Sequence, residues 1–457
     1  MAALFRVILP VLLIAGCGSV ATQTKIYIPV TDELKSGHYQ VAVDKFEKSK
    51  KKFAEKDRFL YYLDSGALYH YAGNHDSCIA RLTLAENSSE ELFTKSISRA
   101  ATSLLLNDNI LEYAGEDYEV LYANLLKALS FASLGNYEDA FVEIKRANLK
   151  LGLLEQKYLG AAAILNRDKP SGAPDSAYQP KNVRFSNDAF ARYLSMHMYA
   201  AMGKMDDARI DSAFLVEAFA TQPHIYNFPM PAVSYESDSG AVLSIVGLVG
   251  LSPVKDALNL RIRTDKDLDL VQVLYTDSEN QDSEYGHLPW PVDADYYFKF
   301  ALPKLSRRST EVGSIRVYAG DSLIGELALL EDIGTVAEET FEAKKSLIYF
   351  RSVARAIVKG LTTHKLKEKV DSGGFEGWLK KAAVDVGSDI SENADLRCAR
   401  FLPGKIMVAD FSVPPGKYDI RLEILDLDGH LIAEETQASF PVIAGGFNLL
   451  QVSCTAY

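Results

Sequence analysis

Residues 134–147 read LGNYEDAFVEIKRA. A glycine stands where a helix would turn, and a small residue, Ala140, follows five positions after it. Three other stretches line up with it: SGHYQVAVDKFEKS (36–49), AGNHDSCIARLTLA (72–85) and, less closely, MGKMDDARIDSAFL (202–215). Each places Gly at the turn (Gly37, Gly73, Gly135, Gly203) and a small residue five on (Ala42, Cys78, Ala140, Ala208). The glycines are 36, 62 and 68 residues apart. The last interval is two 34-residue units and the middle one is close to it, so this is a helical repeat and not a set of unrelated helices.

Packing explains the pattern. Glycine ends a first helix in the left-handed region, small residues let the returning helix approach, and large aromatics fill the remaining space. The second copy carries Tyr62, Gly66 and Tyr69, then Gly73, Cys78, Leu82 and Ala85. The third carries Ala128, Phe131, Gly135, Tyr137, Ala140 and Ala147. The set resembles the tetratricopeptide repeat, though the Trp expected early in each first helix is missing. The resemblance covers residues 25–222 and implies five or six helical pairs, with a Pro/Gly-rich loop, NRDKPSGAPDSAYQPKN, at 166–182. It also implies a concave face that recruits a protein partner; the alternative is an array that only packs on the C-terminal half.

Beyond the Pro-rich boundary HIYNFPMPAV (224–233) the period changes to that of strands. Ala241 to Leu251 reads as a buried strand, being too short to span a bilayer. ALNLRIRT, LDLVQVLYT, YYFKFALP, GSIRVYAG and LIGELALL follow, and KIMVADFSV, GKYDIRLEILD, HLIAEETQASF and FNLLQVSC come after VPPG and DLDG turns. Between the two sets lies a helical insertion at about 333–390, a long helix and a shorter one at about 375–386. The fold class is therefore α+β: a tetratricopeptide-like α-solenoid, then a β-rich domain over 223–457 closed by early and late strands.

The first twenty residues, MAALFRVILPVLLIAGCGSV, hold one positive charge, a short apolar run and small residues, the pattern of a secretory signal. Ile14-Ala15-Gly16-Cys17 resembles the lipobox of bacterial lipoproteins. That resemblance implies a signal peptide over 1–16, acylation of Cys17 and a short lipidated linker over 17–24. Gly18, which is not Asp, implies sorting to the outer membrane, facing the periplasm. VGLVGLSPVKDALNLRI, YYFKFALPKLSRRS, SLIYFRSVARAIVKG and ADLRCARFLPGKIMVADFSVPPGKYDIRLEI resemble successive landmarks of an uncharacterised family of bacterial lipoproteins that joins such repeats to a β domain. The family brings no biochemical activity; its setting implies an envelope complex, in cell-wall synthesis or polymer export.

The net charge of −12 argues against nucleic acid and against a general affinity for anionic surfaces. GxSxG, a Walker loop, HExxH and CxxC are all absent from the sequence, which reads as non-enzymatic, without a cofactor or metal. His70 and His75 would lie about 140° apart on one helix, a poor metal spacing. ILDLDGHL reads as a hairpin turn and DSENQDSE (277–284) as a solvated loop. Cys78 reads as a small core residue, and Cys398 and Cys454 as buried thiols, although an oxidising envelope permits a bridge between them. Arg351, Arg355 and Lys359 recur every four residues and form one basic stripe. The stripe is a candidate contact for an anion or partner; its alternative is pairing with Glu331, Asp332, Glu338 or Glu339. Phe375 and Trp378 read as a buried aromatic anchor, the alternative being an exposed aromatic contact. Other readings are a glycan- or lipid-binding module centred on the stripe and an envelope hydrolase with a site in the β domain.

Overall fold

A computed structural model describes residues 24–102, 111–167, 184–268, 270–276, 282–289, 297–345, 348–349, 352 and 394–455. The signal segment with Cys17 and Gly18, the stripe of Arg351, Arg355 and Lys359, Phe375 and Trp378, and loop 168–183 lie outside the described residues.

The N-terminal half contains α1 (Thr24–Lys35), α2 (Tyr39–Glu47), α3 (Arg58–Tyr71), α4 (His75–Thr102), α5 (Asp117–Ser133), α6 (Tyr137–Gly152), α7 (Leu154–Arg167), α8 (Ala189–Ala201) and α9 (Met205–Thr221). Helices α1/α2, α3/α4, α5/α6 and α8/α9 pack as hairpins. Among the described residues the array is thus four hairpins plus α7, against the five or six pairs the repeat pattern implies. Gly37, Gly73, Gly135 and Gly203 all sit at the hairpin turns with φ between 70° and 74°. At Gly73 the turn closes by Gly73 N–H to His70 O and Asn74 N–H to Tyr69 O, the left-handed helix ending that a side chain would strain. Ala42, Cys78, Ala140 and Ala208 are fully buried, as the repeat pattern requires. At Gly66 a Cβ would collide with the Leu82 side chain, so this glycine sets how closely α3 and α4 approach.

The second half contains β1 (Ala241–Val249), β2 (Val254–Asp265), β3 (Leu270–Thr276), β4 (Asp282–Pro289), β5 (Tyr297–Ser306), β6 (Val312–Ala319), β7 (Ser322–Glu326), β8 (Ala328–Asp332), β9 (Lys405–Val413), β10 (Gly416–Asp426), β11 (Leu431–Val442) and β12 (Leu449–Cys454). They form three four-stranded sheets, β12-β1-β9-β8, β11-β10-β6-β7 and β4-β3-β2-β5. The first two mix strands from both sides of the insertion, which begins as helix α10 (333–345). Two expectations change. LIGELALL is not one strand: the chain leaves β6 at Glu326 and joins β9 from Ala328, switching sheets at the buried Leu327. The 277–284 stretch is not wholly a loop, because Asp282–Glu284 open β4.

Strand β1 explains why its sequence is apolar throughout. Leu243, Ile245 and Val249 face a core shared with Ile315, Val317, Ile420 and Leu422 of the neighbouring sheet. Val246 and Leu248 belong instead to a core that runs on into the helical array, with Leu330, Ile333, Phe401, Leu402, Phe46 and Leu68. Both faces are buried, so alternation disappears. At roughly 1.5–3 kcal/mol per fully buried large apolar side chain, this shared core alone makes the halves mutually dependent. Strand β12 adds polar ties: Tyr39 OH donates to Ser453 O (2.7 Å), Thr455 Oγ1 to Leu34 O (2.8 Å) and Gln451 Nε2 to Leu129 O (3.0 Å).

Candidate functional site: a groove filled in cis and the cleft beside it

The repeat array does hold a peptide segment, and the segment belongs to its own chain. Residues 394–400 form no helix or strand and enter between α1, α3 and α5. Arg397 is 2% exposed. Its guanidinium donates to Asp57 Oδ1 (2.8 Å), Leu111 O (3.0 Å) and Asp395 Oδ2 (2.7 Å), and stands over the Tyr113 ring (5.1 Å). Ala399 N–H donates to Glu119 Oε1 (2.7 Å). Asp64 Oδ1 accepts the N–H groups of Arg400 (2.8 Å) and Phe401 (3.3 Å), and Tyr71 OH donates to Phe401 O (2.8 Å). The Phe401 ring packs against Tyr27 (5.7 Å) and Phe46 (5.6 Å). Array carboxylates and a tyrosine therefore read backbone groups, while Arg397 and Phe401 fill side-chain positions.

Buried carboxylates recur along this join. Asp64 accepts from Tyr27 OH (3.1 Å), and Glu119 from Tyr113 OH (2.8 Å). Glu331 on β8 accepts from Phe190 N–H and Tyr226 OH, both at 3.2 Å. Asp188, the N-cap of α8, accepts from Ala191 N–H (2.6 Å) and Tyr122 OH (3.3 Å). Burial pushes Asp64 up to about 7 and Asp188 up to about 6, and carries Glu331 well above the carboxylate range. Glu116 goes the other way. Burial alone would raise it, but Lys255 (2.5 Å) and Lys344 (3.0 Å) outweigh burial and hold it at about 2. Arg397 likewise overcomes burial to hold Asp395 below its usual range.

A cleft of about 420 Å³ opens between α8/α9 and the start of β1, lined by His197, Met205, Tyr235, Glu236, Ser244 and Phe447 among others. Two of its lining residues, His197 and Ser244, meet Asp410. His197 Nε2 lies 3.2 Å from Asp410 Oδ1, and Ser244 Oγ lies 3.4 Å from Nδ1 and 3.5 Å from Nε2. A serine activated by imidazole lies on one nitrogen's lone-pair axis and far from the other nitrogen. Equal distances place Ser244 off both axes. Asp410 also accepts Tyr193 OH (2.7 Å) and Ser234 N–H (2.9 Å), so this group of residues joins α8 to β9.

The outer helices expose apolar side chains: Val142, Leu149 and Leu153 along α6 and its end, and Ile210, Phe214 and Val216 on α9. Val142, Leu149 and Leu153 are seven and four residues apart, hence on one helical face.

The carboxylates weighed as partners of the basic stripe have other contacts: Asp332 and Glu338 hold Arg307, Glu339 holds Arg184, and Glu331 holds Tyr226. Cys78, Cys398 and Cys454 are buried and form no disulfide among the described residues. His70 and His75 are not on one helix: the turn between α3 and α4 brings their rings to 5.5 Å, and His70 Nδ1 bonds Ser130 Oγ (2.8 Å). Asp426, Asp428 and His430 each place a ligand atom within 4.8 Å of the others, but Asp426 Oδ1 accepts the turn's own N–H groups from Asp428 and His430, as a hairpin requires. Sequence reasoning missed Asp64, Glu119 and Arg397; the only signals were the abundance of tyrosine and the quoted LRCARFLP run.

No protein-family model matches the chain, and no curated protein matches it. A Rap protein solved in complex with Competence and Sporulation Factor is similar at 16% identity over 43% of this chain and 53% of that one, with a TM-score of 0.20. The chain thus spans about half the length of that structure, and a likeness so slight bears on neither fold nor partner. Among the described residues no helix is long and apolar enough to cross a membrane.

Proposed function

We propose that this chain is a non-enzymatic interaction scaffold of the cell envelope, acylated at Cys17 and held at the outer membrane with its body in the periplasm. The lipobox-like Ile14-Ala15-Gly16-Cys17 supports the anchor and Gly18 the address. Two or three acyl chains at about 0.8 kcal/mol per buried methylene suffice to hold a polar body at a leaflet.

One observation carries the scaffold reading and relocates its contact. The groove that repeat arrays offer to peptides is filled by residues 394–401, with Arg397 buried on two carboxylates. Partner recruitment therefore falls to the exposed apolar face of the outer helices, where Val142, Leu149, Leu153, Ile210 and Phe214 stand. Confinement near the membrane raises effective concentration, so modest affinity is enough. Cell-wall synthesis and polymer export are the envelope settings in view.

Deleting residues 25–222 cannot test this, because the array shares its core with β1, β8 and β9. A photo-crosslinking residue placed at Leu149 or Phe214 of the full chain can. Discrete crosslinked products from these positions, absent from a crosslinker at exposed Leu427 on the opposite half, are expected; identical products from all three positions, or none, would refute recruitment by the outer helices. For the anchor, Cys17→Ala releases the protein from membranes washed at high salt, which screens charge attraction, and continued association under that wash contradicts acylation.

A further inference from the structure

The turn between α2 and α3 reverses the charge of the molecule. Residues 45–58, KFEKSKKKFAEKDR, hold seven Lys or Arg and three acids in a chain of net charge −12. None of the three acids pairs with Lys48 or Lys50–Lys52: Glu47 is held by Tyr61, Ser65 and Arg81, Glu55 by Arg58 of the same stretch, and Asp57 by Arg397. The ion pairs of the stretch go to Lys45 and Arg58. Lys48, Lys50, Lys51 and Lys52 are exposed, and among the described residues no carboxylate pairs with them.

The backbone that presents these lysines is pinned. Ser49 is buried, its Oγ donating to Phe46 O (2.6 Å), and Phe53 packs edge-on against Phe46 (5.6 Å). Lys52 N–H donates to Ser49 O (2.8 Å) and Phe53 N–H to Lys50 O (3.1 Å), closing a 3-10 turn. Four lysines thus leave one short, backbone-pinned arc, with the Lys50 ammonium 5.8 Å from the centre of the Tyr61 ring.

Topology fixes where the arc lies. Helix α2 returns antiparallel to α1, so that Phe46 near its end meets Tyr27 in the first turn of α1 (6.1 Å). The lysines follow Phe46 directly, at the end of the array where α1 begins. From Thr24 back to Cys17 is seven residues, a reach of at most about 25 Å.

We propose that Lys48, Lys50, Lys51 and Lys52 seat the array on an anionic phospholipid surface, giving the scaffold a fixed orientation beside its anchor. The role in orientation rests on the reading that Cys17 is acylated. The acyl chains hold the chain at the leaflet but leave its orientation free, and basic side chains near an anionic surface add about 1 kcal/mol each to fix it. The global charge of −12 opposes general membrane affinity, which confines attraction to this arc and makes the contact directional.

The test uses the chain from residue 17 with Cys17→Ser, which keeps every described residue and cannot be acylated, so it is independent of the anchor. Acylation itself is read separately, from the mass of the N-terminal peptide of membrane-extracted protein. Co-sedimentation with phosphatidylglycerol-containing vesicles is expected to exceed that with phosphatidylcholine vesicles at least tenfold. The difference should vanish in the Lys48→Gln/Lys50→Gln/Lys51→Gln/Lys52→Gln variant, whose circular dichroism melt confirms folding, and persist in 10 mM inorganic phosphate at matched ionic strength. Equal partition to both vesicle types, an unaffected variant, or loss of binding to free phosphate would each overturn the proposal.

Discussion

Asp64 Oδ1 accepts the backbone N–H of Arg400 at 2.8 Å, so a carboxylate of the third helix holds a peptide unit that lies 336 positions away in the chain. The same oxygen accepts Phe401 N–H, while Oδ2 faces Tyr27 OH. The array thus recognises backbone as a peptide receptor does, with the ligand supplied by its own C-terminal half.

That carboxyl gives the join a pH dependence of definite sign. Burial raises Asp64 from 3.8 to about 7 in the folded protein. Between these values the folded state binds the proton and the unfolded state does not, so stability falls as pH rises through the window. The shift corresponds to roughly 4 kcal/mol. Asp64→Asn keeps an acceptor for both N–H groups and an NH2 group toward Tyr27, and should flatten the slope of urea midpoint against pH between 4 and 7. An unchanged slope would remove Asp64 as its source.

Glu116 predicts the opposite limb. Held at about 2 by Lys255 and Lys344, it stabilises the fold above its unfolded pKa of 4.5, and that stability is lost as pH falls toward 2. Glu116→Gln should lower the urea midpoint at pH 7 and leave it almost unchanged at pH 2. Equal losses at both pH values would show that shape, not charge, is what Glu116 supplies.

Arg397→Ala leaves the buried Asp57 and the partly buried Asp395 without their cation. Removing one partner of a buried pair costs about 3–5 kcal/mol. Chemical denaturation of the variant should show a loss of that order; a loss below about 1 kcal/mol would mean that segment 394–401 is not held as described.

Gly66→Ala drives a Cβ into Leu82 where α3 meets α4. Overpacking of this kind costs about 1–3 kcal/mol. The double variant Gly66→Ala/Leu82→Ala should be less destabilised than the sum of the single changes, a coupling that a thermodynamic cycle measures. Strict additivity would place the clash elsewhere.

The hairpin turns and most strands were legible because each depends on local chemistry. Gly73 must take a positive φ, Cys78 must be small, and β10 must alternate. The split of β7 from β8 was not legible, since LIGELALL carries no Pro or turn signal at Leu327 and the corner is set by two sheets packing. The site was harder still. Asp64, Glu119 and Arg397 are 336, 280 and 340 positions from what they bind, in the sense of Asp64 to Arg400, Glu119 to Ala399 and Arg397 to Asp57. No local period records such pairings. The helix arithmetic for His70 and His75 failed for a related reason: it assumed one helix where Gly73 ends the first.

Amide hydrogen exchange of the peptide spanning residues 395–402 tests the central claim, that the groove of the array is closed by its own chain. With N–H groups of Ala399, Arg400 and Phe401 on Glu119 and Asp64, this segment should exchange as slowly as core strand β1. Exchange as fast as that of an unstructured chain, or acceleration of it by a bound partner, would contradict the account and return the groove to the role of a receptor.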